Sequence, residues 1–251
     1  KALDLAHTAA VYERDLRISG STEPSDIADA GVVVITAGRA RKAGQSREEL
    51  FGSNAAIVAQ CARDAAKYAP SSIIIVVTNP LDMMVYVALQ ASGFAKERVI
   101  GMAGELDGAR LKFELARASG KEISSMRSAI VGPHSEEMIA LKNELGFEIS
   151  DEIFDGAVQN TKHAGAQIGE LLGTSAYLAP AAGIVKIIKY ILFDTCGTLA
   201  CCVADRSGVP LGRFVSVGKM GAIERNFAYS GEFYEQLERM RERIAELKFL
   251  W

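Results

Sequence analysis

The stretch that decides the fold reads Gly31-Val32-Val33-Val34-Ile35-Thr36. An unbroken β-branched run of this length is typical of a strand in a parallel sheet that is covered on both faces. A second run of the same kind spans residues 72–77, and a shorter one spans residues 99–101. Amphipathic helical patterns at 47–68 and 81–91 separate the three runs. Strand, helix, strand and helix in this order predict right-handed βαβ units and therefore an α/β fold with a doubly wound parallel sheet.

The carboxyl ends of the two long strands carry Thr36-Ala37-Gly38 and Thr78-Asn79-Pro80. Ligands of doubly wound sheets bind beyond these ends, so we expect a site there. A loop rich in glycine and arginine, residues 37–46, follows the first end, and Arg41 and Arg47 lie in this region. Guanidinium groups bind carboxylates through two parallel hydrogen bonds, which indicates an anionic ligand, although a solvated basic loop fits the same residues.

From residue 107 onward the pattern changes, which predicts one domain at residues 1–106 and a second, α+β domain at residues 107–251. The elements predicted outside the α/β repeat are a helix at 1–11, a strand at 16–18, a helical turn at 25–30, a helix at 107–118, a strand at 126–131, a helix at 136–145, an irregular segment at 147–155, helices at 158–172 and 176–192, a hairpin at 199–217 and a helix at 234–247. The mostly apolar helix at 176–192 is expected to be buried.

The turn Gly132-Pro133-His134-Ser135 follows the predicted strand at 126–131. Histidine titrates near neutral pH, so an imidazole held at the edge of a sheet suits general acid–base chemistry. Asp107 and Arg110, three positions apart, share one helix face. Together the three residues would form a site in which the aspartate orients the histidine and the arginine holds an anionic substrate. A turn histidine and an ordinary surface pair are the alternatives that these residues leave open.

The chain has 251 residues, of which 49% are hydrophobic and 24% are charged, and its formal net charge is -3. This mildly acidic balance argues against a nucleic acid or an anionic membrane surface as partner and favours a small molecule. The four cysteines lack metal-type spacing, so no metal is expected, and reduced thiols fit a cytoplasmic protein. We find no apolar run long enough to span a bilayer.

Six ordered blocks of the sequence resemble the lactate/malate dehydrogenase superfamily, and together they extend over nearly the whole chain. The blocks are Thr36-Ala37-Gly38 with Arg41-Lys42-Ala43-Gly44-Gln45-Ser46-Arg47, Asn54-Ala55, Val77-Thr78-Asn79-Pro80-Leu81-Asp82, Leu106-Asp107-Gly108-Ala109-Arg110, Gly132-Pro133-His134-Ser135 and Gly173-Thr174-Ser175-Ala176-Tyr177. The resemblance implies a Rossmann-like dinucleotide-binding domain followed by a substrate domain. It also implies hydride transfer between a nicotinamide cofactor and a 2-hydroxy acid.

The resemblance implies a role for each site residue. His134 would be the proton donor and acceptor, with Asp107 as its partner. Arg110 would bind the C1 carboxylate of the substrate, and Arg47 would polarise the reacting carbonyl. Asn79 would contact both the substrate and the nicotinamide. The residues that would line the cofactor site are Thr36, Ala37, Gly38, Asn54, Val77, Thr78 and Asn79.

The specificity position of the family falls on Arg41, where lactate dehydrogenases usually carry glutamine. An arginine there pairs with the second carboxylate of oxaloacetate, which favours malate over lactate. The implied cofactor is NAD, with NADP left open. We expect a homodimer or homotetramer, to which the apolar helices at 55–68 and 176–192 would contribute surface. The alternatives are a lactate or other 2-hydroxy acid dehydrogenase, an NAD-dependent glycosidase and a catalytically silent scaffold of the same fold.

Two parts of the family pattern are missing from the sequence. The glycine-rich phosphate loop and the acidic residue that binds the adenosine ribose precede the segment that resembles residues 1–7. We therefore expect a longer parent chain, whose additional part supplies the central strand of the sheet. Segment 204–212 is a few residues shorter than the family pattern, so we also expect a hairpin tip to be missing there.

Overall fold

The computed structural model describes residues 1–39, 47–127 and 129–247, with the backbone alone at 47–50. Its helices are α1 (Ala2–Val11), α2 (Arg47–Tyr68), α3 (Leu81–Ser92), α4 (Gly104–Ser119), α5 (Asp151–Leu172), α6 (Leu178–Leu192) and α7 (Gly231–Leu247). Its strands are β1 (Val32–Ile35), β2 (Ile73–Val76), β3 (Val99–Gly101), β4 (Ile130–Val131), β5 (Ile139–Ala140), β6 (Gly197–Ala204), β7 (Pro210–Gly218) and β8 (Gly221–Glu224). Among the described helices, none combines the length and the apolar character needed to cross a membrane.

Six strands form one mixed sheet in the order β1-β2-β3-β6-β7-β8. β1, β2 and β3 run parallel, with Val32 opposite Ile73 and Ile74 opposite Val99, which confirms the predicted α/β arrangement. β6, β7 and β8 form an antiparallel meander that joins the sheet where Cys202 pairs with Gly101. The hydrogen-bonded sheet therefore runs across the predicted boundary after residue 106, and the boundary itself stays a prediction.

Two apolar clusters cover the two faces of the sheet. On one face, Ile74 and Val76 of β2 belong to a cluster with α2 and α3. On the other face, Ile73 and Ile75 of the same strand pack in a cluster with Ile187 of α6. This alternation follows from the period of two in a strand, which sends successive side chains to opposite faces. Burial on both faces explains why β2 reads as an uninterrupted apolar run.

β1 departs from the expectation of a strand buried on both faces. Its first three valines are only partly buried, and Ile35 alone is fully buried. The reason is its place at the end of the sheet, where β2 is its one neighbour among the described strands. Residues 16–18, predicted as a strand, form no strand in the structure. Leu16 is 62% exposed, so its apolar side chain is not held in a sheet.

Two segments in the second half of the chain differ from the prediction. Residues 136–145, predicted as a helix, contain β5, because Ile139 pairs with Val131 of β4 and this pairing outweighs the helical periodicity. Segment 147–155, predicted as irregular, contains the start of α5. Ser150 caps this helix, since its hydroxyl accepts a hydrogen bond of 3.3 Å from the Ile153 N–H.

α6 is not the buried helix that its composition predicts. Ile187 and Ile191 are buried, whereas Leu178, Val185 and Leu192 are between 49% and 76% exposed. Only one stripe of the helix faces the sheet, and the remaining apolar side chains face outward.

The predicted hairpin at 199–217 is present as β6 and β7, and β8 extends it by a strand that the pattern does not predict. Its tip closes as a tight turn, because Asp205 Oδ1 accepts hydrogen bonds from the backbone N–H groups of Ser207 and Val209.

The turn that carries His134 is anchored to β7 by two glycines. The Gly132 N–H donates to the Gly212 oxygen at 2.8 Å, and the Gly212 N–H donates back to the Gly132 oxygen at 3.0 Å. A Cβ on Gly212 would lie 2.4 Å from that Gly132 oxygen. Gly132 has a φ of 85°, a left-handed conformation that glycine adopts without steric penalty. These two glycines thus fix the distance between β7 and His134.

We expect Gly212→Ala to destabilise the protein, because the added Cβ forces β7 and the turn apart. Overpacking of this kind costs about 1–3 kcal/mol, and each kcal/mol lowers Tm by roughly 2–4 °C in a chain of this size. Thermal unfolding followed by circular dichroism measures the change. Gly156→Ala is the matched control, since among the described residues nothing beyond the adjoining residues and backbone of α5 lies within 4 Å of the added Cβ. The alanine should stabilise α5 slightly. A Gly212→Ala protein with the wild-type Tm would contradict this account.

Candidate active site

A cleft of about 950 Å³ lies beside the carboxyl end of β2. Its walls come from α2, α3, α4, α5, α7 and the turn that holds His134. Asn79, Asp107, Arg110 and His134 all line it. The structure thus brings together four of the predicted site residues, which come from three separate segments of the chain.

Asp107 connects the histidine to the arginine. Its Oδ2 lies 2.7 Å from His134 Nδ1, and its Oδ1 accepts a hydrogen bond of 3.1 Å from Arg110 Nη1. The Asp107 side chain is 2% exposed, so both charge-assisted contacts lie in a region of low dielectric. Because Nδ1 is engaged, Nε2 is the ring nitrogen that can meet a ligand.

The surroundings raise the pKa of His134 above its usual value. Burial lowers this pKa, but the charge and the hydrogen bond of Asp107 outweigh burial. Asp82 contributes further in the upward direction, and Arg110 acts against it. The site therefore favours a protonated imidazole more strongly than water does.

Asp107 lies in the first turn of α4, which begins at Gly104, three residues before the predicted start. A carboxylate in a first turn is stabilised by the helix dipole. Gly104 rests directly on β6, since a Cβ there would lie 2.9 Å from the Ala200 Cβ. This close contact fixes the start of α4, and with it Asp107 and Arg110, against the sheet.

Two side chains join the ends of β1 and β2. Thr78 Oγ1 donates to the Ala37 oxygen at 2.7 Å. Asn54 of α2 is buried; its Oδ1 accepts from the Arg39 N–H at 2.7 Å. Its Nδ2 donates to the Arg39 and Asn79 oxygens at 3.2 and 2.8 Å. Both amide N–H groups of Asn54 are used within the protein, and its direct contact with a cofactor stays a prediction.

The ends of β1 and β2 carry several exposed residues. Among the exposed residues at these ends are Thr36, Ala37, Gly38 and Asn79. A Cβ on Gly38 would lie 2.5 Å from Thr78 Cγ2, so a larger residue would push the two strand ends apart. Val77 completes the arrangement, because its N–H donates to the Ile35 oxygen at 3.0 Å. The predicted cofactor residues at the strand ends thus share one edge of the sheet.

The two loop arginines are not placed by the structure. Arg41 lies outside the described residues, and Arg47 opens α2 with only its backbone described. Within the described ranges, no group of three or more His, Cys, Asp or Glu side chains is arranged to hold a metal ion.

The cleft also contains residues to which the sequence patterns assign no role. Asp82 in the first turn of α3 is 7% exposed, and its Oδ2 accepts a hydrogen bond of 2.9 Å from the His134 N–H. Lys162 of α5 and Met240 of α7 line the cleft as well. Asp82 leaves one sequence signal, an acidic residue in an otherwise apolar helix. For α5 and α7 the sequence offers only amphipathic periodicity, which does not say what a helix faces.

Two family models match the chain. The one described as lactate/malate dehydrogenase, NAD binding domain, matches residues 1–101. The one described as lactate/malate dehydrogenase, alpha/beta C-terminal domain, matches residues 104–248. Together they account for nearly all of the sequence.

Curated relatives include malate dehydrogenases. The protein of Symbiobacterium thermophilum is 44% identical over 200 residues, which are 77% of this chain and 64% of the relative. The protein of Nitratiruptor is 41% identical over 236 residues, which are 89% of this chain and 74% of the relative. The chain thus spans somewhat less than two thirds of the first of these relatives and about three quarters of the second.

Solved structures of malate dehydrogenases are similar in fold to this chain. The malate dehydrogenase of Cryptosporidium parvum has a TM-score of 0.90 at 32% identity, with 98% of this chain and 84% of that chain covered. The malate dehydrogenase of Plasmodium falciparum in complex with NADH has a TM-score of 0.90 at 27% identity, with 99% and 86% covered.

Proposed function

The chain belongs to the lactate/malate dehydrogenase family, and on this basis we propose that it is a malate dehydrogenase, which interconverts (S)-malate and oxaloacetate with NAD. The observation that carries the proposal is the arrangement in which His134 and Arg110 share the buried carboxylate of Asp107. Oxidation of a 2-hydroxy acid needs a base for the hydroxyl proton and a cation for the neighbouring carboxylate. The relatives named malate dehydrogenase support the choice of substrate.

His134 moves the proton of the reaction at Nε2, because Nδ1 is engaged by Asp107. Bound NAD supplies the complementary chemistry by exchanging a hydride with the substrate carbon. In the reductive direction, protonated His134 donates from Nε2 to the substrate oxygen as the carbonyl becomes a hydroxyl. In the oxidative direction, neutral His134 accepts that proton. Asp107 holds the orientation of the ring and stabilises its charged form.

Arg110 is placed to bind the substrate carboxylate. Its side chain is 17% exposed, lines the cleft and is tied to Asp107 through Nη1. The ideal Cβ position of Gly165 lies 3.6 Å from both Nη1 and Nη2, so glycine leaves the guanidinium uncovered on the side of α5. Its remaining N–H groups suit a carboxylate bound through two parallel hydrogen bonds.

Asn79 contacts the substrate and the nicotinamide in this proposal. Its side chain is exposed in the cleft, while its backbone oxygen is held by Asn54. Asn54 and Thr78 then act by holding the strand ends on which the cofactor rests, with Thr36, Ala37, Gly38 and Val77 as its backbone platform. Arg47 polarises the reacting carbonyl, and Arg41 binds the second carboxylate of oxaloacetate.

Lactate oxidation is the second candidate function, since the family includes both activities. Arg41 distinguishes the two activities. Pyruvate has a methyl group where oxaloacetate has a second carboxylate, so with pyruvate the charge of this arginine would have no partner. The family match supports either dehydrogenase over a glycosidase or a silent scaffold.

We expect oxaloacetate to be reduced faster than pyruvate. Arg41→Gln should lower this preference by roughly ten- to a hundredfold, since a charge-assisted hydrogen bond contributes about 1.5–3 kcal/mol. Arg47→Gln is the control, because its role at the carbonyl common to both acids should depress both rates alike. The preference is measured from the initial rates of NADH oxidation with oxaloacetate and with pyruvate, and then from the same comparison with NADPH. Equal rates with the two acids would contradict the proposed preference for malate and would indicate a 2-oxo acid reductase of broader specificity.

We also propose a homodimer or homotetramer, a cytoplasmic location and a place in the tricarboxylic acid cycle. The exposed apolar side chains of α6 and of the end of α5 support an interface, with Leu171 86% and Leu178 76% exposed. The inward stripe of α2, which includes Val58 and Ala62, is buried against the fold, so the helix at 55–68 would contribute to the proposed interface through its other face.

A further inference from the structure

A buried carboxyl group that the proposed reaction does not use lies next to His134. Asp82 is the second residue of α3, and its Oδ2 accepts the backbone N–H of His134 at 2.9 Å. Its other oxygen, Oδ1, is buried and has no hydrogen-bond partner among the described residues. Burying an ionisable oxygen without a partner costs free energy, so its presence calls for a compensating role.

We propose that Asp82 is a positioning residue for His134, which holds the backbone of the turn through Oδ2 and places a second negative charge beside the imidazole. The inference rests on the proposed role of His134 and adds to it a carboxylate on a different helix from Asp107.

The two aspartates hold different atoms of the same residue. Asp107 of α4 engages the ring at Nδ1, and Asp82 of α3 engages the backbone N–H. The pairing of Gly132 with Gly212 fixes the preceding backbone from β7. His134 is therefore held from three elements, and neither aspartate can replace the contact of the other.

The charges around His134 balance when the imidazole is protonated. The groups that face it are Asp82, Asp107 and Arg110. Asp82 in turn faces Asp107 and the thiol of Cys202 on β6. With His134 protonated and both aspartates ionised, two carboxylates face two cations, whereas neutral His134 would leave one of the two negative charges without a partner. The other charged groups that line the cleft or lie near Cys202 are Glu136, Lys162, Arg213, Arg243 and Glu246.

Asp82 and His134 stabilise the charged forms of each other. Burial raises the pKa of Asp82 above its usual value, and the N–H and the positive charge of His134 lower it without fully offsetting burial. The first turn of α3 also favours a carboxylate through the helix dipole. The Cys202 thiol stays neutral beside it, because burial and then the charge of Asp82 raise its pKa. As a donor group beside the carboxylate this thiol also lowers the pKa of Asp82, although among the described residues no hydrogen bond of normal geometry reaches Oδ1.

Asp82→Asn distinguishes the hydrogen bond of Asp82 from its charge. Asparagine keeps an oxygen that accepts the His134 N–H, but it carries no negative charge. NMR titration of the ring protons follows His134 directly, since the chain has three histidines and the signal lost in His134→Asn identifies it. We expect Asp82→Asn to lower the pKa of His134, and Asp107→Asn to lower it further. Asp26→Asn, at an exposed first-turn aspartate elsewhere, should leave it unchanged. A His134 signal that titrates identically in Asp82→Asn and wild type would overturn the proposal.

The pH dependence of the rates distinguishes this role from a purely structural one. Oxaloacetate reduction needs protonated His134, so its rate should fall as pH rises through the His134 pKa. In Asp82→Asn, the decrease of the reduction rate should move to lower pH, and malate oxidation should likewise begin at lower pH. A loss of packing alone would lower both rates without shifting the pH at which either rate changes. If the NMR signal shifts and the rates do not follow, the proposed role of His134 is wrong while its contact with Asp82 stands.

The wild-type protein decides the question if Asp82→Asn does not fold. The ¹³C signal of the Asp82 carboxyl should move as His134 titrates, because the two charges face each other. An Asp82 signal that ignores the titration of His134 would overturn the proposal as well.

Discussion

Replacing His134 with asparagine should lower kcat for oxaloacetate reduction by about 10²–10⁴-fold, the usual contribution of a positioned general acid or base. Asparagine cannot carry a proton between substrate and solvent, although it keeps a polar side chain near Asp107. Steady-state kinetics with NADH in both directions measure the loss, and KM should change much less than kcat.

His163→Asn is the matched control. His163 is exposed on α5 and contacts only the Gln159 oxygen, at 2.7 Å, among its described hydrogen bonds. Its replacement should leave kcat near the wild-type value. If His134→Asn retained most of the activity, the proton would have to come from another group, and the proposed mechanism would be wrong.

Arg110→Gln should lower kcat/KM for oxaloacetate by roughly 30- to 4,000-fold. Removing one partner of a desolvated charge pair costs about 2–5 kcal/mol, and each 1.4 kcal/mol corresponds to a factor of ten. Most of the effect should appear in KM, because the carboxylate is bound in both the ground state and the transition state. Oxaloacetate saturation curves measure the change.

Arg117→Gln tests whether the effect belongs to the cleft. Arg117 pairs with Glu114 at the same three-residue spacing and on the same helix as Arg110 with Asp107, but its side chain is 63% exposed. An exposed pair of this kind contributes about 0–1 kcal/mol, so kcat/KM should stay unchanged. Similar losses in both variants would point to general weakening of α4 and would contradict a substrate role for Arg110.

Local patterns predict the α/β half of the fold because their signals lie within a few residues. α2 has the predicted bounds Arg47–Tyr68, and β3 occupies the predicted residues 99–101. The predicted helix at 136–145 is wrong because β5, like its partner β4, has only two residues, which is too short to show the alternation typical of a strand. The exposure of α6 cannot be predicted either, since composition does not show how much of a helix is covered by other elements.

The candidate site shows the same limit. Asp107 and Arg110 are visible as a pair because three residues separate them on one helix. Asp82 and His134 are 52 positions apart, and their contact joins a side chain to a backbone N–H, which leaves no pattern in the sequence. The hydrogen bonds of Asn54 cannot be predicted from the sequence for a similar reason, because they connect a helix to the ends of two strands.

The pairing of β3 with β6 bears on how the chain is made. Gly101 leaves the ribosome about 100 residues ahead of its partner Cys202. At roughly 5–20 residues per second, the far edge of β3 waits about 5–20 s for its neighbour. During this interval its N–H and C=O groups are open to strands of other nascent chains. β3 is only three residues long, which limits such pairing, yet slower translation between β3 and β6 would prolong the period in which a chaperone has to cover this edge.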